Sequence, residues 1–363
     1  MTSQFSAFDE YGFLRSDKFD AAGYEEFMRS YLRTLSRRGL KWEKLVRGVV
    51  RNGENSDAYA RLTYGAKLKR FVRKGIPGSH RKGVWLQMSG SQRMRAEEPD
   101  IYPAMLALET VNRTVLDQIV SDMPRTFPNN TNFDSTNPAS MQAPLLRVLR
   151  ALANANPKLG YCQGLNYVAG LLLLATREEE ATFWLMRALT ERILPEYYSP
   201  GMPGLLVDMR ALAVLARQEV PRLAAHIDRL GIPWALIASK WFICLYSDVL
   251  PVETVLRVWD CLFAEGSKVL FRVALSLLKM NEPRLLAMTE FADLVGELKT
   301  VVTDSKDVLH CHDFMAAVYD TPMPSLTRAR LAKLRAELGV EVREEELERE
   351  RRRKSDGSGL RDG

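Results

Sequence analysis

The sequence predicts an all-α protein, and three observations carry that prediction. Apolar residues recur at three- and four-residue spacing along much of the chain, the period of a helix with one buried stripe. No stretch of more than a few residues alternates apolar and polar as a half-buried strand does, and no strand–helix–strand rhythm appears. Prolines fall mainly between the periodic stretches, where they interrupt no helical hydrogen bond. No repeat of fixed period is evident, which argues against a regular solenoid.

The elements follow from these signals in chain order. An N-terminal helical piece leads to VRNGENSDAYARLTY (50–64), a polar stretch that reads as a joint before the main domain. Pro157 and Gly160 make a rigid turn ahead of Tyr161, and an apolar helix starts at Leu165. In REEEATFWLMRALTERIL, Ala181, Trp184, Leu185, Ala188 and Leu189 form one apolar stripe, and acids crowd the first turn, where the helix dipole favours them. The same period predicts helices at 205–217, at 222–230 with Gly231 as the stop, and at 234–245, 252–264, 268–279 and 291–302. The end, REEELERERRRKSDGSGLRDG, begins as a charged helix with acid and base four apart and passes into a disordered Gly/Ser tail. This divides the chain into an N-terminal helical segment and linker at 1–66, a main domain at 67–335 and a tail at 336–363.

Composition narrows the function. The chain of 363 residues is 46% hydrophobic, enough for a substantial core. Its longest strongly apolar run, LNYVAGLLLLA (165–175), is well short of the roughly 20 residues of a membrane-spanning helix. The start, MTSQFSAFDEYGF, lacks the basic and apolar regions of a secretory signal, so a cytoplasmic protein is expected. A net charge of +6, with bases interleaved among acids, does not mark a nucleic-acid binder, although a basic face could meet an anionic membrane or an acidic protein.

Several chemistries lack their residues. The four cysteines form no CxxC pair, so reduced thiols are expected. His310 and His312 flank Cys311, but adjacent residues of a helix cannot aim three ligands at one metal, and HExxH is absent. GxxxxGK[ST] is absent too, so a nucleotide site of the protein's own is not expected. Cys162, before a helix start, is a candidate nucleophile, but it has no histidine near it in sequence.

Three stretches carry the positive signal: RKGIPGSHRKGVW (73–85), IVSDMPRTFPNN (119–130) and LGYCQGLNYVAG (159–170). The second fits I-x-x-D-x-x-R-T-F at Ile119, Asp122, Arg125, Thr126 and Phe127; the third fits Y-C-Q-G from Tyr161 to Gly164. In this order, with WFICLY and VLRVWDCLFAEG after them, they resemble the signature motifs of the TBC domain, the family of GTPase-activating proteins for Rab GTPases. The resemblance spans roughly 73–334, and it continues outside the domain in DEYGFLRSDKFD and LSRRGLKW.

The resemblance implies a two-lobed helical fold and a GTP-bound Rab partner, with membrane association through that partner in vesicle trafficking. GTP and Mg²⁺ would belong to the partner, and the protein itself would need no cofactor. Arg125 would be an arginine finger and Gln163 a glutamine finger acting in place of the GTPase's own glutamine. The residue types suit the chemistry: a guanidinium neutralises growing phosphate charge, and a neutral amide can both donate to a phosphate oxygen and accept from water. Asp122, three residues before Arg125, would support the guanidinium or a nearby backbone N–H. Tyr161 and Gly164 flank the glutamine, and Asn166 either caps the following helix or reaches the partner. Arg81 and Trp85, one turn apart, are expected to brace the domain. The competing expectations are a catalytically silent scaffold that binds Rab GTPases and a cysteine hydrolase using Cys162.

Overall fold

The computed structural model describes residues 7–15, 20–47, 59, 62–109, 112–303 and 306–358. Of the predicted joint at 50–64, only Tyr59 and residues 62–64 are among them, and the tail beyond Ser358 lies outside the described residues. Among the described residues the regular structure is all helical, and β pairing is limited to isolated bridges, Phe8 with Leu14 and Phe13 with Asn130.

The first half of the chain contributes α1 (Ala21–Arg47), α2 (Ala66–Lys74), α3 (Gly78–Ser89), α4 (Ser91–Glu97), α5 (Ile101–Ala107), α6 (Arg113–Asp122), α7 (Gln142–Ala155), α8 (Leu165–Thr176) and α9 (Glu179–Ala188). The second half contributes α10 (Pro203–Glu219), α11 (Pro221–Arg229), α12 (Trp234–Ile243), α13 (Val252–Glu265), α14 (Lys268–Met280), α15 (Glu282–Leu286), α16 (Phe291–Thr303), α17 (Lys306–Leu309), α18 (Cys311–Asp320) and α19 (Arg328–Ser358).

Two groups of helices pack around two buried axes. Helix α8 is apolar on nearly every side and lies among α3, α7 and α9, as a helix without a polar face must. Helix α13 is buried along most of its length and packs on α2, α3, α14 and α18, while α10 joins α11, α12, α14 and α19. Helix α3 touches both axes and ties the lobes together.

The predicted helix at 234–245 ends two residues early. Leu245 and Tyr246 take φ of 50° and 66°, and the Tyr246 N–H turns back to the Trp241 carbonyl. The stripe at 177–194 forms α9, followed by a wide turn at Leu189–Ile193 closed by Leu194 N–H to the Leu189 carbonyl. The charged end does more than face solvent. Helix α19 lies on α10, with Arg335 paired to Asp208 at 2.6 Å and Arg210 to Glu345 at 2.7 Å.

Arg81 and Trp85 sit at the buried junction of α3 with α13. The Arg81 guanidinium meets Glu253 at 2.7 Å and Asp260 at 3.3 Å. Asp260 also accepts from Trp85 Nε1 and from the Ile76 backbone N–H, each at 2.9 Å. A buried charge is tolerated when paired and hydrogen-bonded. These two residues therefore brace the lobe contact, and neither lines the cleft described next.

Candidate functional site

Helix α6 starts at Asn112, whose side chain accepts from Val115 N–H, and runs to Asp122. A single 3₁₀ turn, Met123–Arg125, follows. Pro124 fixes φ and gives up an N–H that this turn does not use, so the chain leaves the helix with Arg125 outward. Phe127 then adopts φ 53°, a left-handed backbone that costs energy outside glycine and persists only when its surroundings enforce it. They do so here. The Phe127 ring is enclosed by Phe13, Phe133 and Tyr167 with centroids 5.0, 5.5 and 5.4 Å away. Gly170 makes the room, since a Cβ there would lie 3.0 Å from the ring.

The second loop enters α8 through Gly164 at φ 111°. Its N–H donates to Asn166 Oδ1 at 3.0 Å, and Asn166 Nδ2 donates to Thr126 Oγ1 at 2.8 Å. Asn166 is 1% exposed. Of its two expected roles the structure therefore shows the inward one: it stitches the glutamine loop to the arginine loop.

A second stitch lies closer to the surface. The Asp122 carboxylate, nearly fully buried, meets Arg125 Nη2 through one oxygen and accepts the Tyr161 hydroxyl through the other, both at 2.5 Å. Burial and the adjacent Asp122 carboxylate push the Tyr161 hydroxyl well above its ordinary pKa, so it stays a donor. Ser121 Oγ accepts from Arg125 Nη2, and the Tyr167 hydroxyl donates to the Arg125 carbonyl, each at 3.3 Å.

The result is a surface cleft of about 170 Å³ lined by Gln118, Ser121, Asp122, Arg125, Tyr161 and Gln163. The Arg125 side chain is 56% exposed. All its side-chain contacts use Nη2, so Nε and Nη1 make no hydrogen bond to the described residues. Gln163 is exposed, and its carboxamide has no protein partner among them. One cation and one amide thus share a cleft with free polar edges, on loops fixed from beneath.

Cys162 stands beside them but differs in chemistry. Burial pushes its thiol up, and its Sγ contacts are the Gln163 carbonyl at 3.5 Å and Met202 Sδ at 3.9 Å. A nucleophile needs the opposite shift and a base. The two histidines that flank Cys311 also diverge, His310 stacking on Phe27 and His312 meeting Arg38.

A family model described as the Rab-GTPase-TBC domain matches residues 78–286, more than half of the chain and both loops. The chain belongs to the Rab-GTPase-TBC domain family. Among curated relatives of this TBC protein, human growth hormone-regulated TBC protein 1 is 45% identical over 90% of this chain and 93% of its own. Growth hormone-regulated TBC protein 6 of Caenorhabditis elegans is 35% identical over 93% of this chain and 94% of its own. The solved structure of the Chlamydomonas flagellar RabGAP TBC domain superposes with a TM-score of 0.72 at 31% identity, covering 86% of this chain and all of that one. The Ypt/Rab-GAP domain of Gyp1p shares the fold, with a TM-score of 0.64 at 21% identity.

Outside the matched region, the TBC domain carries an N-terminal clasp that sequence reasoning missed. Residues 7–15 fold over the arginine loop: Leu14 N–H donates to the Asn129 carbonyl, and the Asn130 and Asn132 side-chain amides donate to the Tyr11 carbonyl. The Tyr11 hydroxyl donates to Glu253 at 2.6 Å. Thr126 and Tyr167 join the site as well, Thr126 through Asn166 and Tyr167 through the Arg125 carbonyl. Thr126 stands within the R-T-F motif, and that was its only signal.

Proposed function

We propose that the protein accelerates GTP hydrolysis on a GTP-bound Rab GTPase, with Arg125 and Gln163 entering the partner's nucleotide site in trans. One observation carries this reading: Arg125 and Gln163, from separate loops, line one exposed cleft with their polar edges free. Phosphoryl transfer asks little covalent chemistry of the protein and much positioning. The free Nε and Nη1 edge of Arg125 would meet charge that develops on the γ-phosphate. The Gln163 amide would hold the attacking water, donating to a phosphate oxygen and accepting a water proton, without any shifted pKa. GTP and Mg²⁺ arrive with the Rab, and the protein supplies no nucleotide site or cofactor of its own. It acts as an enzyme activator in the cytoplasm and reaches vesicle membranes with its partner.

Phosphate release from a panel of GTP-loaded Rab proteins tests this directly. At least one Rab should respond to catalytic amounts of the protein. Tight binding to a GTP-loaded Rab with no change in hydrolysis anywhere in the panel would instead identify a silent scaffold. Cys162→Ser should change the acceleration by less than about twofold, since a surface-adjacent packing residue carries little; a collapse would restore the cysteine mechanism.

The clasp gives a separate expectation. Phe13→Ala removes one wall from the enforced left-handed turn at Phe127. The single-turnover rate at saturating protein should fall roughly 10- to 100-fold, as small displacements of a positioned group do, while affinity for the Rab stays within a few fold. An equal loss in affinity, with the rate intact, would place Phe13 in the docking surface instead.

A further inference from the structure

We propose that a cleft between α1 and α2, apart from the arginine–glutamine site, binds the multiply phosphorylated headgroup of an anionic membrane lipid. This inference is independent of the GTPase reading. The cleft encloses about 740 Å³, and its lining includes Arg37, Arg38 and Lys41 from α1 and Lys67, Arg70 and Lys74 from α2. Among the described residues no acidic side chain lines it. Among the described residues none of the six cations is ion-paired, whereas the neighbouring Arg73 is satisfied by Glu265 at 2.6 Å.

The sequence concentrates this charge. No acid occurs between Glu26 and Glu43 in α1, and none between Asp57 and Glu97 around α2.

The base of the cleft is stronger evidence than its rim. Arg38 is 8% exposed, yet it faces the cleft with His312 as its side-chain hydrogen-bond partner, at 3.3 Å. Arg257 lies behind it: a Cβ on Gly75 would come within 2.7 Å of Arg38 Nη1 and 2.5 Å of Arg257 Nε. Burial and Arg257 hold the Arg38 guanidinium below its usual pKa, and burial, Arg38 and Arg257 depress the His312 imidazole. Arg257 has Asp260 at 3.8 Å, but Arg38 and His312 have no carboxylate partner among the described residues, and a guanidinium fork matches phosphate oxygens two at a time. Trp42 and Phe71, ring centroids 5.7 Å apart, supply an apolar wall.

The membrane, and not a free phosphate, is indicated by the outer face of α1. Leu32 is 56% and Leu40 59% exposed, and both stand beside the exposed Arg33, Arg37 and Lys41. Exposed apolar residues flanked by bases describe a helix lying in a lipid interface.

Vesicle sedimentation of the full chain tests the proposal. It should sediment with phosphatidylcholine vesicles containing phosphatidylinositol bisphosphate, and much less with vesicles carrying phosphatidylserine at equal total charge. Lys67→Glu/Arg70→Glu, both exposed, should weaken the first by on the order of 30-fold while the far-ultraviolet circular dichroism and unfolding midpoint hold. Leu32→Ser/Leu40→Ser should reduce vesicle retention and leave binding of soluble inositol trisphosphate intact. That soluble probe should shift the ring resonances of His312. Equal sedimentation with both anionic vesicles, an unaffected charge-reversed variant, or an unmoved His312 signal would each overturn the site. Binding of the soluble probe without vesicle retention would overturn the assignment to a membrane.

Discussion

Arg125→Ala should abolish about 10³- to 10⁵-fold of the acceleration given to the responsive Rab, which is roughly 4 to 7 kcal/mol at about 1.36 kcal/mol per tenfold. Arg125→Lys should lose most of it too. An ammonium is a point charge, and it cannot hold Asp122 with one edge while offering a second planar edge to phosphate oxygens, as Arg125 is placed to do. The Asp122 contact matters to the magnitude, because a free arginine loses about 1.5–2 kcal/mol of rotamer freedom when it is immobilised. Here Asp122 and Ser121 impose much of that order beforehand. Gln163→Ala should cost less, on the order of 10²- to 10³-fold, the scale of one removed polar contact to a transition state. Gln163→Ala, at an exposed side chain without a protein partner among the described residues, should lower stability by no more than about 0.5 kcal/mol, whereas Arg125→Ala takes the cation from the buried Asp122 carboxylate and should cost about 1–3 kcal/mol. Measured by single-turnover hydrolysis, an Arg125→Ala variant that retains more than a tenth of the acceleration would remove the guanidinium from the mechanism.

The sequence revealed the parts of this site that act through residue type and missed the parts that act through proximity. Arg125, Asp122 and Gln163 sit in two short motifs, and their chemistry can be read from the side chains. Whether Asn166 faced inward or outward could not be read, since the answer depends on Thr126, a residue of the other loop. Phe13 lies in DEYGFLRSDKFD, where the resemblance continues, but nothing in the sequence joins it to the site, because its partner Phe127 is distant in the chain and the left-handed turn it supports is visible only as a dihedral angle. The fold shows the same division. Helices α10 to α14 appear in the periodicity to within about two residues, whereas α4 and α5, seven residues each, are too short to display a period. The acid–base spacing of the charged end describes contacts within its own helix, and it leaves out Glu345, which pairs with Arg210 of α10 across the helix contact.

Asp260→Ala should produce the largest loss of stability, about 3–5 kcal/mol, the usual cost of removing one partner from a buried charged network. Asp260 is fully buried, and burial pushes its carboxyl up against the opposing pull of Arg81 and Arg257. Removing it strips a counter-charge from both guanidiniums and leaves Trp85 Nε1 and the Ile76 N–H without an acceptor. Arg257 can absorb little of this, since its Nε and Nη1 already lack hydrogen-bond partners among the described residues. Asp260→Asn should cost nearly as much: each carboxylate oxygen accepts from a different donor, and an amide offers one acceptor and turns an N–H toward the other. Guanidinium unfolding of the two variants measures this, and a loss under about 1 kcal/mol for Asp260→Ala would show that the network is compensated elsewhere. The damage should also travel. Arg81 contacts both Glu253 and the Tyr11 hydroxyl, and Tyr11 anchors the clasp whose Phe13 supports Phe127. Loosening the α3–α13 junction therefore loosens the turn that presents Arg125. In whatever fraction of Asp260→Ala remains folded, the hydrolysis rate at saturating protein should fall below wild type, although no atom of Asp260 lines the cleft.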